Sequence, residues 1–220
     1  MASTHSNLDS VQAGLKALKG AIPLIGLTGG IGSGKTAVSD MLGELGAGII
    51  DTDLISHQIT APGGKAIPLI AKAFGADFID AQGALIRPKM RTVVFENPGA
   101  RKVLEQITHP LIQEETSKQA IELAKSGAPY LVFVVPLLIE SGSWAKLIDY
   151  LVVVDCPEET QIQRVMQRNN MTRSDVENVL KAQTSRNARL AAANAVIENQ
   201  GGLDELKSEV LKLHQQLLKI

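Results

Sequence analysis

The chain has 220 residues, 45% of them hydrophobic and 20% charged, with a formal net charge of −1. That length suits one core with insertions, and so balanced a charge supplies no basic field for a long polyanion, which excludes nucleic acid as a partner. Aromatics at 3% imply an aliphatic core without stacked-base platforms, and no run reaches the ~20 apolar residues that span a bilayer, so no membrane role is expected.

Residues 1–20 are polar and lack the apolar centre of a signal peptide. They read as a disordered N-terminal extension. The first buried strand is expected over Pro23–Thr28, an apolar run without in-out alternation, as in a parallel sheet covered on both faces. It leads into Gly29-x-x-x-x-Gly34-Lys35-Thr36. Val38, Met41, Leu42 and Leu45 then recur at helical spacing, and Gly46 and Gly48 mark the helix end.

A strand, a glycine-rich turn and a helix start together form an anion cradle. Glycines let successive N–H groups converge on phosphate oxygens. The helix start adds unpaired N–H groups and the positive end of its dipole. Lys35 supplies a full charge to the terminal phosphates, and the Thr36 hydroxyl supplies a ligand for Mg²⁺. The residues expected to hold ATP are therefore Gly30, Ile31, Gly32, Ser33, Gly34, Lys35, Thr36 and Ala37. The bare pattern arises by chance in on the order of 1% of chains this long.

The second strand, Gly48–Ile50, ends at Asp51-Thr52-Asp53. In open parallel sheets ligands bind beyond the carboxyl ends of the strands. Asp53 is thus a candidate to accept or orient the proton of an acceptor hydroxyl, and Asp51 to approach Mg²⁺ through water. The alternative is a helix cap for Leu54–Thr60, where aspartate is common. About eighty residues separate this strand from the third, far more than one crossover helix needs. Helical patterns at Ile67–Phe74, Arg87–Phe95 and Ala100–Ala124, punctuated by Pro62-Gly63-Gly64, Gly75, Gly83 and Asn97-Pro98-Gly99, make this a helical insertion.

The third and fourth strands are expected at Tyr130–Val135 and Tyr150–Val154, and a fifth at Ala195–Ile197. Helices are expected at Glu158–Arg168, Ser174–Ala193 and Leu203–Leu218, with Thr172 and Asp175 resembling a capping box. The alternation makes the fold α/β, with a five-stranded parallel core. Cys156 is the only cysteine, which suits a reducing compartment. At the end of an apolar run it reads as a packed small residue. Arg164, Arg168, Arg173, Arg186 and Arg189 fall within 26 residues. They read as a lid whose guanidinium groups close on a transferring phosphoryl group, against the plainer reading of a solvated helix face. No histidine or cysteine spacing suggests zinc.

The run Gly26–Thr36 resembles the phosphate loop of dephospho-CoA kinases. The resemblance continues through Ile50-Asp51-Thr52-Asp53, Arg87, Val94-Phe95, His109-Pro110-Leu111-Ile112, Val135-Pro136-Leu137-Leu138-Ile139-Glu140, Val153-Val154-Asp155, Arg164 to Arg168, Gln183 and Val196-Ile197-Glu198-Asn199. It implies transfer of the ATP γ-phosphate to the ribose 3′-hydroxyl of dephospho-CoA, with Mg²⁺. It implies catalytic roles for Asp53, Lys35 and Arg164. Arg168 and Asn199 would contact nucleotide, and Asp53, Arg87, His109, Leu137 and Glu140 would face the substrate. Residues 57–125 would form the substrate domain and 158–189 the lid. The nucleotide-binding core would comprise 21–56, 126–157 and 190–220. Asn194 and Glu198 depart from the family's usual aspartates, which bears on the adenine side. A kinase for another small metabolite, or a nucleotide-binding switch without an acceptor, are the alternatives. A cytoplasmic location is expected, and the sequence sets no oligomeric state.

Overall fold

A computed structural model describes residues 15, 17–136, 138–141, 144–169 and 171–220. It divides into two compact units, one of Asp51–Gln119 and one of Leu15–Ile50 with Ala120–Ile220. The expected extension falls mostly outside the described residues. Its last residues make a helical turn in which Leu15 is buried. No helix of the described residues is long and apolar enough to cross a membrane.

The second unit is built on a five-stranded sheet. Its strands are β1 (Leu24–Gly29), β2 (Gly48–Asp51), β3 (Leu131–Val134), β4 (Tyr150–Asp155) and β5 (Ala195–Glu198). Their order is β2-β3-β1-β4-β5, a parallel doubly wound arrangement. Each lies within a residue or two of its expected position. Ile25, Leu27, Val132, Val134, Val152 and Val154 turn one face of the sheet into a buried cluster. Helix α1 (Lys35–Glu44) closes it with Val38 and Leu42. The C-terminal helix, α10 (Leu203–Leu217), adds Leu206, Val210, Leu213 and Leu217, spaced four, three and four apart on one stripe. Each such side chain contributes roughly 1.5–3 kcal/mol on full burial. On the other face Gly26 leaves room for Leu138 and Ile148, whose methyls stand 2.9 and 2.8 Å from where a Cβ would be.

Register sets the site. Gly29 at the end of β1 pairs with Val154, and Asp155, one step on, pairs with Glu198. The end of β1, Asp155 and Asn199 are therefore brought to one carboxyl edge.

Between β4 and β5 lie α7 (Glu158–Asn169), α8 (Arg173–Ala182) and α9 (Arg186–Ala192). The single helix expected over Ser174–Ala193 is in fact two. Gln183 is extended, and the Ser185 side chain accepts the Ala188 N–H as an N-cap. A side-chain cap here competes with continued helix, as serine commonly does. Thr172 and Asp175 form the expected reciprocal box.

The first unit is helical. It holds α2 (Thr52–Ile59), α3 (Ile67–Phe74), α4 (Arg87–Glu96) and most of α5 (Pro98–Lys125). Asn97-Pro98-Gly99, expected as punctuation, starts α5: the Asn97 side-chain Oδ1 accepts the Gly99 and Ala100 N–H groups. Ile55, Ile59, Ala66, Ile70, Phe78 and Met90 are among its buried apolar residues. Lys89 lies 4.3 Å from the Phe78 ring centroid and pairs with Asp77.

Candidate active site

The loop between β1 and α1 turns through Gly32 and Gly34, at φ 73° and 95°. Gly34 is the N-cap of α1, with no side chain bonded to the cap. The first N–H groups of α1 have no partner within the helix and point forward from its start. Lys35 and Thr36 form that first turn, with Thr36 exposed. Ala37 packs toward the core.

Four side chains from beyond β4 shape this loop. Asn199 is buried and its Nδ2 donates to the Ser33 carbonyl at 2.8 Å. The same nitrogen stands 2.1 Å from where a Gly34 Cβ would be, so space and backbone angle both demand glycine there. Gln183 Oε1 accepts the Ile31 N–H at 3.2 Å. Gln161 on α7 is fully buried and donates to the Cys156 carbonyl at 2.9 Å. Its Oε1 and Arg189 Nη2 stand 2.4 and 2.9 Å from the position of a Gly30 Cβ. The Ile31 side chain itself packs on Ile162, Val165 and Val176. Ser33 Oγ, Gln161 Oε1 and Arg164 Nη1 are buried without a hydrogen-bond partner among the described residues.

The five arginines divide by environment. Arg186 pairs bidentately with buried Asp155, Nε at 3.0 Å and Nη2 at 2.6 Å. Arg189 is itself buried and donates to the Thr184 carbonyl. Arg173 is exposed and pairs with Glu159 and Glu177. Arg168 is exposed and donates to Asn169 at 2.8 Å. Arg164 lies close to the Cys156 thiol, which burial pushes up while the guanidinium partly offsets the rise. Cys156 is buried and free, as a packed residue.

Glu140, in the short helix α6 (Leu138–Ser141), accepts the Thr184 N–H at 2.6 Å. Partial burial pushes its carboxyl up. The Thr184 donors and the Arg189 charge outweigh this and hold it below the ordinary carboxylate range. Leu137, expected to face the substrate, lies outside the described residues.

In the helical unit Asp51 is the N-cap of α2. Its Oδ1 accepts the Asp53 and Leu54 N–H groups at 2.8 and 3.2 Å. Asp53 is thereby fixed in the first turn, where a carboxylate suits the helix dipole. Desolvation holds the Arg87 pKa below its ordinary value, and the charge of nearby Asp53 offsets only part of this. Arg87 donates to Thr60 Oγ1 at 2.6 Å and to the Ser56 carbonyl at 3.2 Å, pinning α4 to α2. His109 is exposed on α5, beside Pro110.

A family model described as dephospho-CoA kinase matches residues 23–205. The chain belongs to the dephospho-CoA kinase family. Members of this family are transferases that catalyse the final step of coenzyme A biosynthesis. Over 196 residues the chain is 58% identical to a dephospho-CoA kinase of Burkholderia pseudomallei strain K96243, covering 89% of this chain and 95% of that one. Over 190 residues it is 53% identical to one of Cupriavidus pinatubonensis, covering 86% and 91%. TT1252 from Thermus thermophilus, a crystal structure, is similar with a TM-score of 0.75 at 29% identity, covering 89% and 97%. A dephospho-CoA kinase from Campylobacter jejuni gives 0.67 at 25%, with the same coverage. As a kinase of this family the chain binds ATP.

The departure of this dephospho-CoA kinase family member at Asn194 has a structural reading. Asn194 Oδ1 accepts the Leu151 N–H at 2.7 Å, and its own N–H donates to the Leu151 carbonyl at 2.8 Å. An aspartate would offer the same acceptor, so the change conserves the tether at the start of β5. Glu198 is exposed. Gln161 carried no motif of its own and was not singled out in the sequence. Gln183 was visible only as part of the family resemblance. The strand register and the break before Ser185 are what bring both to the loop.

Proposed function

We propose that the chain transfers the γ-phosphoryl group of ATP to the ribose 3′-hydroxyl of dephospho-CoA, with Asp53 as the residue that engages that hydroxyl. The observation that supports this reading most is the glycine-shaped cradle at the start of α1, in a chain of this family. The N–H groups of Gly32, Gly34, Lys35 and Thr36 and the Lys35 ammonium gather the β- and γ-phosphates. Asp53 takes or orients the hydroxyl proton as the oxygen approaches phosphorus in line. Arg164 and Arg168 neutralise the equatorial oxygens, and the segment 158–189 acts as the lid that excludes water. Arg87, His109 and Glu140 face the substrate, Glu140 as a carboxylate held ionised by its donors.

Magnesium belongs to this proposal. The described residues contain no cluster of three His, Cys, Asp or Glu side chains that would hold a metal alone. A small hard cation that arrives on phosphate oxygens and keeps most of its waters needs only a hydroxyl, and Thr36 stands exposed at the right turn. Such an ion would supply charge neutralisation across the phosphates.

The test is mass spectrometry of dephospho-CoA after incubation with the protein and Mg-ATP, for wild type and Asp53→Asn. Wild type adds one phosphoryl group. Asp53→Asn slows turnover by ~10²–10⁴-fold, the range of a lost general base, while ATP binding by calorimetry is retained. Phosphorylation of other small alcohols in preference to dephospho-CoA would refute the substrate, and full turnover in Asp53→Asn would refute the base.

A further inference from the structure

Gln183 sits at the break between α8 and α9, a joint held on every side. The next N–H, from Thr184, goes to Glu140, and the Thr184 carbonyl accepts from buried Arg189. Arg186 is locked onto Asp155 at the end of β4, and Ser185 caps α9. From this fixed frame the half-buried Gln183 reaches the phosphate loop through one bond, Oε1 to the Ile31 N–H. The Ile31 side chain is gripped as well, packed on the α7–α8 cluster.

We propose that Gln183 is a positioning residue for phosphoryl transfer. Its amide oxygen takes the Ile31 N–H and so sets the orientation of the loop from the joint that carries the arginine helices. With Ile31 held and the Ser33 N–H on the Gly30 carbonyl, the loop's N–H groups from Gly32, Gly34, Lys35 and Thr36 are the set presented to phosphate. The chemistry explains why an amide stands here. A carboxylate would accept the same N–H, and more strongly. It would also place a negative charge beside a cradle that must take a triphosphate, whereas glutamine supplies the acceptor without the charge. This inference rests on the ATP-binding reading of the loop.

Two substitutions separate the hydrogen bond from the charge. Gln183→Ala removes the bond. Gln183→Glu keeps it and adds the charge. Steady-state kinetics with Mg-ATP and dephospho-CoA, at 0.05 and 0.5 M NaCl as chosen conditions near the two ends of useful screening, and thermal melts are run on the full chain. In Gln183→Ala, kcat falls about tenfold from lost loop orientation, KM for dephospho-CoA stays at its wild-type value, and the Tm falls by only about 2–4 °C, the loss of one half-buried hydrogen bond. In Gln183→Glu, KM for ATP rises about tenfold at low salt and recovers at high salt, with the Tm unchanged. The proposal is overturned if Gln183→Ala keeps wild-type kcat and KM for ATP, or if it lowers the Tm beyond that range and shifts every kinetic constant together. It is equally overturned if Gln183→Glu shows no salt-dependent change in KM for ATP. A wild-type protein that fails to phosphorylate dephospho-CoA would refute the functional reading instead, a result distinct from any of these.

Discussion

Asn199 offers the sharpest test of how the loop is built, because one nitrogen performs two tasks. Its Nδ2 donates to the Ser33 carbonyl at 2.8 Å and stands 2.1 Å from the position a Gly34 Cβ would occupy. Asn199→Ala leaves a buried carbonyl without its donor, at a cost of about 1–3 kcal/mol. For a chain of this size each kcal/mol lowers the Tm by roughly 2–4 °C, so a drop of ~4–8 °C is expected for a cost of ~2 kcal/mol. Asn199→Asp is worse: a carboxylate oxygen faces the carbonyl and is itself desolvated, so the loss exceeds that of alanine. Gly34→Ala in the wild type meets both the nitrogen and the positive φ. The backbone part costs about 1–2 kcal/mol, and the overlap about 1–3 kcal/mol more. In an Asn199→Ala background the overlap is gone and only the backbone part remains. The double mutant is therefore more stable than the sum of the singles predicts, by ~1–3 kcal/mol. Calorimetric melts of the four proteins give the cycle, and ATP titration gives the functional counterpart, with affinity falling in the order wild type, Ala, Asp. If the cycle is additive within ~0.5 kcal/mol, or if Asn199→Asp melts with the wild type, the packing of Asn199 on Gly34 is not what fixes the loop.

Two further outcomes follow from the charges and the buried phenol. Arg186→Ala lowers the Tm far more than Arg173→Ala, because the first strands a carboxylate whose side chain is 6% exposed and the second breaks only solvent-exposed pairs; parallel melts decide it, and equal shifts would contradict it. Tyr130 is fully buried, its hydroxyl 2.6 Å from His214 Nδ1, and burial raises its pKa to about 12. The unfolded chain releases this proton first, near pH 10, so stability from this group is intact below pH 10 and drains away up to about pH 12. In alkaline denaturation curves Tyr130→Phe loses that decline, at a constant cost of about 1 kcal/mol at neutral pH for the hydrogen bond.

The phosphate loop was legible because it is contiguous. Strand, glycines, lysine and threonine follow one another, and each needs only its neighbours to make its meaning. The strands were legible for a similar reason, since a buried parallel strand is a short unbroken apolar run. Asp51 shows where local reading stops. Its sequence allowed both a metal-side carboxylate and a cap, and the two N–H groups bonded to its Oδ1 show the cap, a role compatible with the other. The helix expected over Ser174–Ala193 failed at Thr184-Ser185 because the competing partners, Glu140 and Ala188, are a distant strand-end helix and a backbone donor inside the next turn. Periodicity cannot register either one.

The arginine cluster carries the larger lesson. Read as a run, five guanidinium groups in 26 residues point to phosphate. Read with their partners, they divide. Arg186 neutralises Asp155 and Arg189 closes the Thr184 turn, both at the joint that holds Gln183. Arg173 ties α8 to α7 through Glu159. A guanidinium fixed by a buried carboxylate or packed into the interior is already committed, and moving it to an incoming phosphoryl group would leave its partner uncompensated. Arg164 differs, since its Nη1 is buried without a hydrogen-bond partner among the described residues while the guanidinium lies against the Cys156 thiol, and Arg168 differs because it is exposed and donates to the adjacent Asn169. Neither is tied to a buried carboxylate as Arg186 is, and the two share one face of α7. Charge density along a sequence is a single signal, and the arginines that brace the structure separate from those left to meet a ligand, as proposed for Arg164 and Arg168, only when each donor is followed to its acceptor.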